Sequence, residues 1–197
     1  MSIYLSIDTE ATGLKETTHL IQLALVPVDI SRGKVLLSLG REWLVKCPTF
    51  EELEPSLDAW NLEHNRETII RAHREGIDPK QVLPTIQQYL ASADLVALFG
   101  NKRPVLLGKS LSALDIPLLK RCFGWEVFDR TFHHHTVDVT CVSRALVDAG
   151  MLPAGCESTS KLVSHFGIRD DARHTAMSDA VDMAEIYLKL LGILRGI

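Results

Sequence analysis

The chain has 197 residues, a formal net charge of −4 and 46% hydrophobic side chains, enough for one domain, residues 1–197, with a well-buried core. Mild acidity excludes the extended basic surface that grips long duplex nucleic acid. No apolar run approaches the roughly 20 residues that cross a bilayer, so no membrane partner is expected. Cys47, Cys122, Cys141 and Cys156 show no C-x-x-C spacing and no secretory leader precedes them; they read as reduced thiols, which predicts a cytoplasmic location.

Residues 3–7 (IYLSI) carry the β-branched and aromatic side chains of a strand, and they run into Asp8-Thr9-Glu10-Ala11-Thr12-Gly13-Leu14. Residues two apart on a strand share a side, so Asp8 and Glu10 face the same way. Burying both costs several kcal/mol unless a cation lies between them, and a divalent metal is the simplest. Thr12-Gly13 supplies a turn that presents apolar Leu14 beside such an ion. Residues 19–30 form a long apolar run with Pro27 near its end, residues 31–34 a tight connection, and residues 35–45 a returning strand. The spacing predicts a meander of three strands.

Beyond Pro48 and Pro55 the apolar positions Leu57, Trp60, Leu62, Ile69 and Ile70 fit one or two helices. Asp78-Pro79 opens another, with Asp78 as N-cap, while residues 94–99 suit either a strand or the last turns of that helix. Residues 104–108 form a short buried strand, and residues 111–123 have helical spacing that ends at Gly124. Val137-Asp138-Val139 is strand-like and leads into a helix over about residues 141–149. Ser158 or Thr159 caps a short helix to Phe166, and a last helix begins near residues 174–178. The order predicts an α/β fold: a mixed sheet covered by helices, with a parallel addition beside the first strand through a helical crossover.

Asp115 sits among Leu114, Ile116, Leu118 and Leu119, an unusual frame for a charge, although a carboxylate ahead of Pro117 can also satisfy helix N–H groups. His174 precedes Asp179 by five residues. On a helix that separation is about 140° of rotation, so His174 is expected on the loop before the helix. Asp8, Glu10, Asp115 and Asp179 are four carboxylates from three separated segments. They can hold two magnesium or manganese ions roughly 3.5 to 4 Å apart for an in-line phosphoryl displacement. His174 is the candidate general base toward water, a task suited to imidazole.

Asp8-Thr9-Glu10, Asp115 and His174-x4-Asp179 resemble, in order and spacing, the three motifs of the DEDDh superfamily of 3′-to-5′ exonucleases. The resemblance spans nearly the whole chain. It implies a ribonuclease H-like fold with a five-stranded sheet, three antiparallel strands then two parallel. The tyrosine that marks the sister DEDDy group is missing, since Thr175, Ala176 and Met177 stand there. It further implies that Leu14 wedges against terminal bases, that backbone amides at Ala11, Thr12 and Gly13 meet the terminal nucleotide, and that Trp60 or His64 supplies a stacking surface. Where many relatives carry His-Asn before the aspartate, Gly108-Lys109-Ser110 stands here, so Lys109 and Ser110 take over a sugar or phosphate contact. Arg173, with Arg169, is a further candidate phosphate contact.

The expected activity is that of a hydrolase: a two-metal 3′-to-5′ exonuclease with Mg2+ or Mn2+ as cofactor, acting on single-stranded or short DNA or RNA 3′ ends and releasing nucleoside 5′-monophosphates. The alternative is a nucleic-acid-binding or interaction module that kept the fold and lost catalysis, against which five intact candidate residues count. Both RNA and DNA fit as substrate, and a homodimer is compatible with the sequence. His133-His134-His135 carries no metal assignment, because consecutive residues on an extended segment point alternately to opposite sides.

Overall fold

A computed structural model describes residues 2–15, 17–168 and 174–196. Strands β1 (Ile3–Ala11), β2 (Leu20–Asp29), β3 (Lys34–Val35) and β4 (Arg41–Leu44) come first. Five helices follow, α1 (Phe50–Leu53), α2 (Ala59–His64), α3 (Arg66–Glu75), α4 (Pro79–Leu90) and α5 (Ala93–Phe99). Then come β5 (Val105–Gly108), α6 (Asp115–Phe123), α7 (Trp125–Thr131), β6 (Thr136–Asp138), α8 (Val139–Asp148), α9 (Thr159–Phe166) and α10 (Ala176–Arg195).

The sheet order is β3-β2-β1-β5-β6, with β4 also on β2. β1 pairs antiparallel with β2 and parallel with β5, which pairs parallel with β6. The expected mixed sheet flanked by helices is therefore present, with one refinement. The returning third strand is split: β3 pairs with Val28 and Asp29, and β4 pairs with the 22–25 stretch of β2. The break lies opposite Val26 and Pro27. Proline offers no N–H to a ladder, and there only the Pro27 carbonyl is used, accepting from the Leu36 N–H at 2.9 Å.

Every residue of β2 is buried, as expected for a strand covered on both faces. Leu5, Ile7, Leu23, Leu25 and Leu106 pack toward α4, α6 and α7. Val28 and Leu107 pack on the other face with Val139, Leu146, Leu162, Met183, Ile186 and Leu190. Alternation along β1 thus sends Leu5 and Ile7 one way and Ser6, Asp8 and Glu10 toward α10.

α10 reaches the sheet closely because Ala176 and Ala180 are small and fully buried against it. Ser6 Oγ donates to the Ala180 carbonyl at 2.6 Å. The first N–H groups of the helix, which have no partner within it, are taken by side chains of the sheet: Ala176 N donates to Gln22 Oε1 at 3.1 Å and Met177 N to Glu42 Oε1 at 3.2 Å. These bonds fix the turn that carries Asp179.

Gly108 ends β5 where it runs closest to β1. A Cβ there would stand 2.8 Å from the Ile7 carbonyl oxygen and 2.6 Å from Leu111 Cδ2. Because backbone cannot step aside, Gly108→Ala is expected to lower stability by about 1–3 kcal/mol, read as a lower urea midpoint, and to prise β5 from the strand holding Asp8.

Residues 94–99 belong to a separate helix, α5, which starts after Ser92. The helix expected over residues 111–123 begins only at Asp115, after a turn in which Ala113 N and Leu114 N donate to the Ser110 carbonyl. Pro117 accounts for this start: it is tolerated in a first turn, where its missing N–H would have had no partner.

Candidate active site

Asp8 and Glu10 project from the C-terminal end of β1 onto the α10 side of the sheet, and Asp179 faces them from the first turn of α10. One carboxylate oxygen from each of these three residues lies within 4.8 Å of the others. Asp115 is the first residue of α6, 5% exposed, and accepts from Thr9 Oγ1 at 2.6 Å. Thr9 points to the opposite side of β1 from its neighbours, so the four carboxylates straddle the end of one strand.

His174 lies on the loop before the helix, as its spacing from Asp179 required. Thr175 is the N-cap, its side chain accepting from Ser178 N at 3.2 Å. His174 Nδ1 stands 3.9 Å from Asp179 Oδ2. Its ring meets His64 edge-on at 5.4 Å and Trp60 at 6.2 Å, while Trp60 and His64 stack at 4.8 Å. His64, expected as a stacking surface, lines neither cavity at the site; its ring packs against Trp60 and His174.

Like charges crowd at the acidic group. Burial raises the Asp8 carboxyl well above its usual range, and the charges of Asp115, Asp179 and Glu10 add to this, with Lys109 opposing. Glu10 is raised to about 7 by burial and then by Asp179, against a hydrogen bond from Asn65. Burial raises Asp115 to about 6, opposed by the Thr9 hydroxyl. Carboxylates crowded and desolvated in this way fit a divalent cation, whose charge reverses the penalty.

The pH dependence of the metal-free fold follows. Glu10 rises from 4.5 in a free chain to about 7 when folded, so the folded state binds more protons across that interval and stability falls as pH rises. The shift corresponds to about 3 kcal/mol, fully lost above pH 7. Urea unfolding in chelator is expected to give a lower midpoint at pH 8 than at pH 5, with millimolar Mg2+ restoring much of the difference. Equal midpoints, or no effect of Mg2+, would contradict this.

Two cavities meet at the site. One of 590 Å³ is lined by Asp8, Glu10, Asp115, Asp179, His174, Lys109 and Trp60. A second, of 350 Å³, is lined by Ala11, Gly13, Leu14, Trp60, Pro117 and Arg121. Thr9, Glu10, Trp60 and Leu114 line both. Leu14 is 81% exposed at the rim. Thr12 lines neither cavity; it staples the turn, its N–H donating to the His19 carbonyl at 3.0 Å and its hydroxyl accepting from His19 N at 2.9 Å. Ser110 also lines neither, and its φ of 51° shapes the turn that delivers Asp115. Arg169 and Arg173 lie outside the described residues.

Several participants carried no motif. Asn65 is fully buried and donates to the Ala11 carbonyl at 3.2 Å and to Asn61 Oδ1 at 3.0 Å. Ser158, Thr159 and Ser160 line the larger cavity at the start of α9, where Ser158 was legible only as a helix cap.

No protein-family model and no curated protein matches the sequence. Solved structures do match. The nuclease domain of 3′hExo, a DEDDh family member bound to rAMP, superposes with a TM-score of 0.67 at 14% identity over 96% of this chain and 91% of that one. The Mg2+- and Mn2+-bound form of S. pombe Pop2p gives 0.61 at 14% identity over 96% and 82%. Cell-death related nuclease 4 (CRN-4) gives 0.67 at 17% identity over 97% of this chain and 64% of that one. The chain therefore shares the fold of these structures, a DEDDh family member among them, as the motif resemblance implied. No helix among the described residues is long and apolar enough to cross a membrane.

Proposed function

We propose that this chain is a divalent-metal-dependent 3′-to-5′ exonuclease that removes nucleoside 5′-monophosphates from single-stranded or short nucleic acid. The observation that carries the reading is the meeting of Asp8, Glu10 and Asp179 oxygens within 4.8 Å, with His174 Nδ1 3.9 Å from Asp179. Nuclease relatives of the fold, one of them bound to rAMP and another to Mg2+ and Mn2+, support it.

Asp8, Glu10, Asp179 and, through a turn away from Thr9, Asp115 are the residues that would hold the ions. Bound there, Mg2+ or Mn2+ would supply Lewis-acid stabilisation of the phosphoryl group and its leaving oxygen. The chain's own groups do the rest. His174 sits at the edge of the larger cavity and takes the proton of the attacking water at a ring nitrogen. The Trp60 and His64 rings restrict how that imidazole swings. Trp60 offers an aromatic face for one of the last bases, worth about 1 to 3 kcal/mol per stacked base and tolerant of sequence, and Leu114 and Leu14 add apolar contact. Lys109 brings positive charge to the cavity holding the scissile phosphate. The short reach of these cavities and the mild net charge of −4 favour frayed or short ends over long duplex.

The test is incubation of 5′-labelled RNA and DNA oligomers of two to twenty nucleotides with the protein and Mg2+, Mn2+ or chelator. The expected result is a ladder shortening from the 3′ end that chelator abolishes. Internal cuts, or no shortening with either metal, overturn the reading.

A further inference from the structure

His133, His134 and His135 lie between α7 and β6, outside the acidic site. β1, β5 and β6 run parallel, and the carboxylates sit at the C-terminal ends of β1 and of the β5 connection, whereas the histidines precede the N-terminal end of β6. The two groups are thus at opposite ends of the sheet. Alternation along an extended segment would scatter the three rings, but this segment is not extended: β6 begins only at Thr136. His133 N donates to the Pro104 carbonyl at 2.8 Å, and His135 N turns back to donate to His133 Nδ1 at 3.0 Å. The bend brings the rings together, with centroids 4.4 Å apart for His133 and His134, 4.9 Å for His133 and His135, and 4.2 Å for His134 and His135. One ring nitrogen from each lies within 4.8 Å of the others.

We propose that His133, His134 and His135 form a second metal site, for a borderline transition-metal ion such as Zn2+, held by three imidazoles at the α7–β6 junction. Nitrogen ligands at about 2.0–2.1 Å around a tetrahedral ion stand roughly 3.4 Å from one another. The rings therefore need to close by little more than 1 Å, which the exposed His134 and His135 achieve by side-chain rotation alone. His133 is half-buried and anchored through Pro104, and it sets the position of the site. The fourth position faces solvent. Affinity follows the ordinary preference of imidazole, Cu2+ above Ni2+ and Zn2+, with Mg2+ excluded because it demands oxygen ligands. Its ligand chemistry separates this site from the carboxylate site, and the proposal stands whether or not the chain is a nuclease. In the ion-free chain His133 Nδ1 accepts the His135 amide; ligation redistributes the ring's proton or lone pair, so that amide reports binding.

The experiment is calorimetric titration of Zn2+ into the full chain without an affinity tag, in millimolar Mg2+ to occupy the carboxylates, with His134→Ala, His135→Ala and Asp8→Asn in parallel. One equivalent of Zn2+ is expected, unaffected by Asp8→Asn. Each histidine variant is expected to weaken it by at least about 10-fold, the lower end of what removing a group behind a metal ligand already costs. Zn2+ is also expected to shift the His135 backbone amide in an NMR spectrum. Both variants alter exposed side chains, and a thermal melt without metal checks that each folds. Failure to take up Zn2+, uptake that both histidine variants retain, or uptake lost in Asp8→Asn overturns the proposal.

Discussion

Asp8→Asn is expected to abolish strand shortening and, at the same time, to make the metal-free protein harder to unfold at pH 8. The two effects come from one cause. In the folded chain Asp8 is desolvated and faces the charges of Asp115, Asp179 and Glu10, so its ionised form is tolerated only when a cation answers it. Asparagine keeps the shape and removes the charge. Metal affinity falls by more than the 10- to 100-fold typical of losing a group behind a ligand, and turnover falls below detection. Repulsion is relieved together with it. Calorimetric Mn2+ titration, the oligonucleotide ladder and urea unfolding in chelator at pH 5 and pH 8 read the three consequences. The stability gain should grow as pH rises, because the folded chain holds the Asp8 proton more tightly than a free chain does. A variant that loses activity but gains no stability at pH 8 would mean that Asp8 is not under charge stress.

His174→Ala should slow turnover by about 10² to 10⁴, the usual cost of a lost general base, while leaving Mn2+ binding and the melting temperature close to those of the parent. The histidine lies off α10, ahead of the Thr175 cap, while Gln22 and Glu42 hold the first N–H groups of the helix. Its removal therefore spares the turn that presents Asp179. Imidazole added to the buffer is expected to restore part of the rate, since the vacated space beside Trp60 and His64 opens into the larger cavity. A loss of rate accompanied by weakened Mn2+ binding, with no rescue by imidazole, would assign His174 to holding Asp179 in place.

Much of the site was legible because strand and helix periods are simple. Two-residue alternation placed Asp8 and Glu10 on one side, and the five-residue gap put His174 on a loop. The polar partners that hold these groups were not legible. Asn65 approaches Ala11 and Glu10 from the junction of α2 and α3, across 54 positions of chain from Ala11, and no local pattern marks an asparagine as buried. Ser6 looked like any polar residue in a strand, yet its hydroxyl ties β1 to Ala180. In the fold, the split of the third strand depended on which stretch of β2 lacks a usable N–H, a property of the pair rather than of either sequence. The histidine triplet misled for a related reason: alternation was applied to a segment that a contact with Pro104 bends.

The bond from Ser6 to Ala180 joins residues 174 positions apart, and with it Asp8 and Asp179 come from nearly opposite ends of the chain. In chain order the strand that carries Asp8 and Glu10 comes first and α10 last among the described elements. Until it docks, the acidic cluster lacks a member and the helix turn that orients the imidazole. A chain still missing that helix would therefore keep only Asp8 and Glu10 of the three carboxylates that meet on this side of β1.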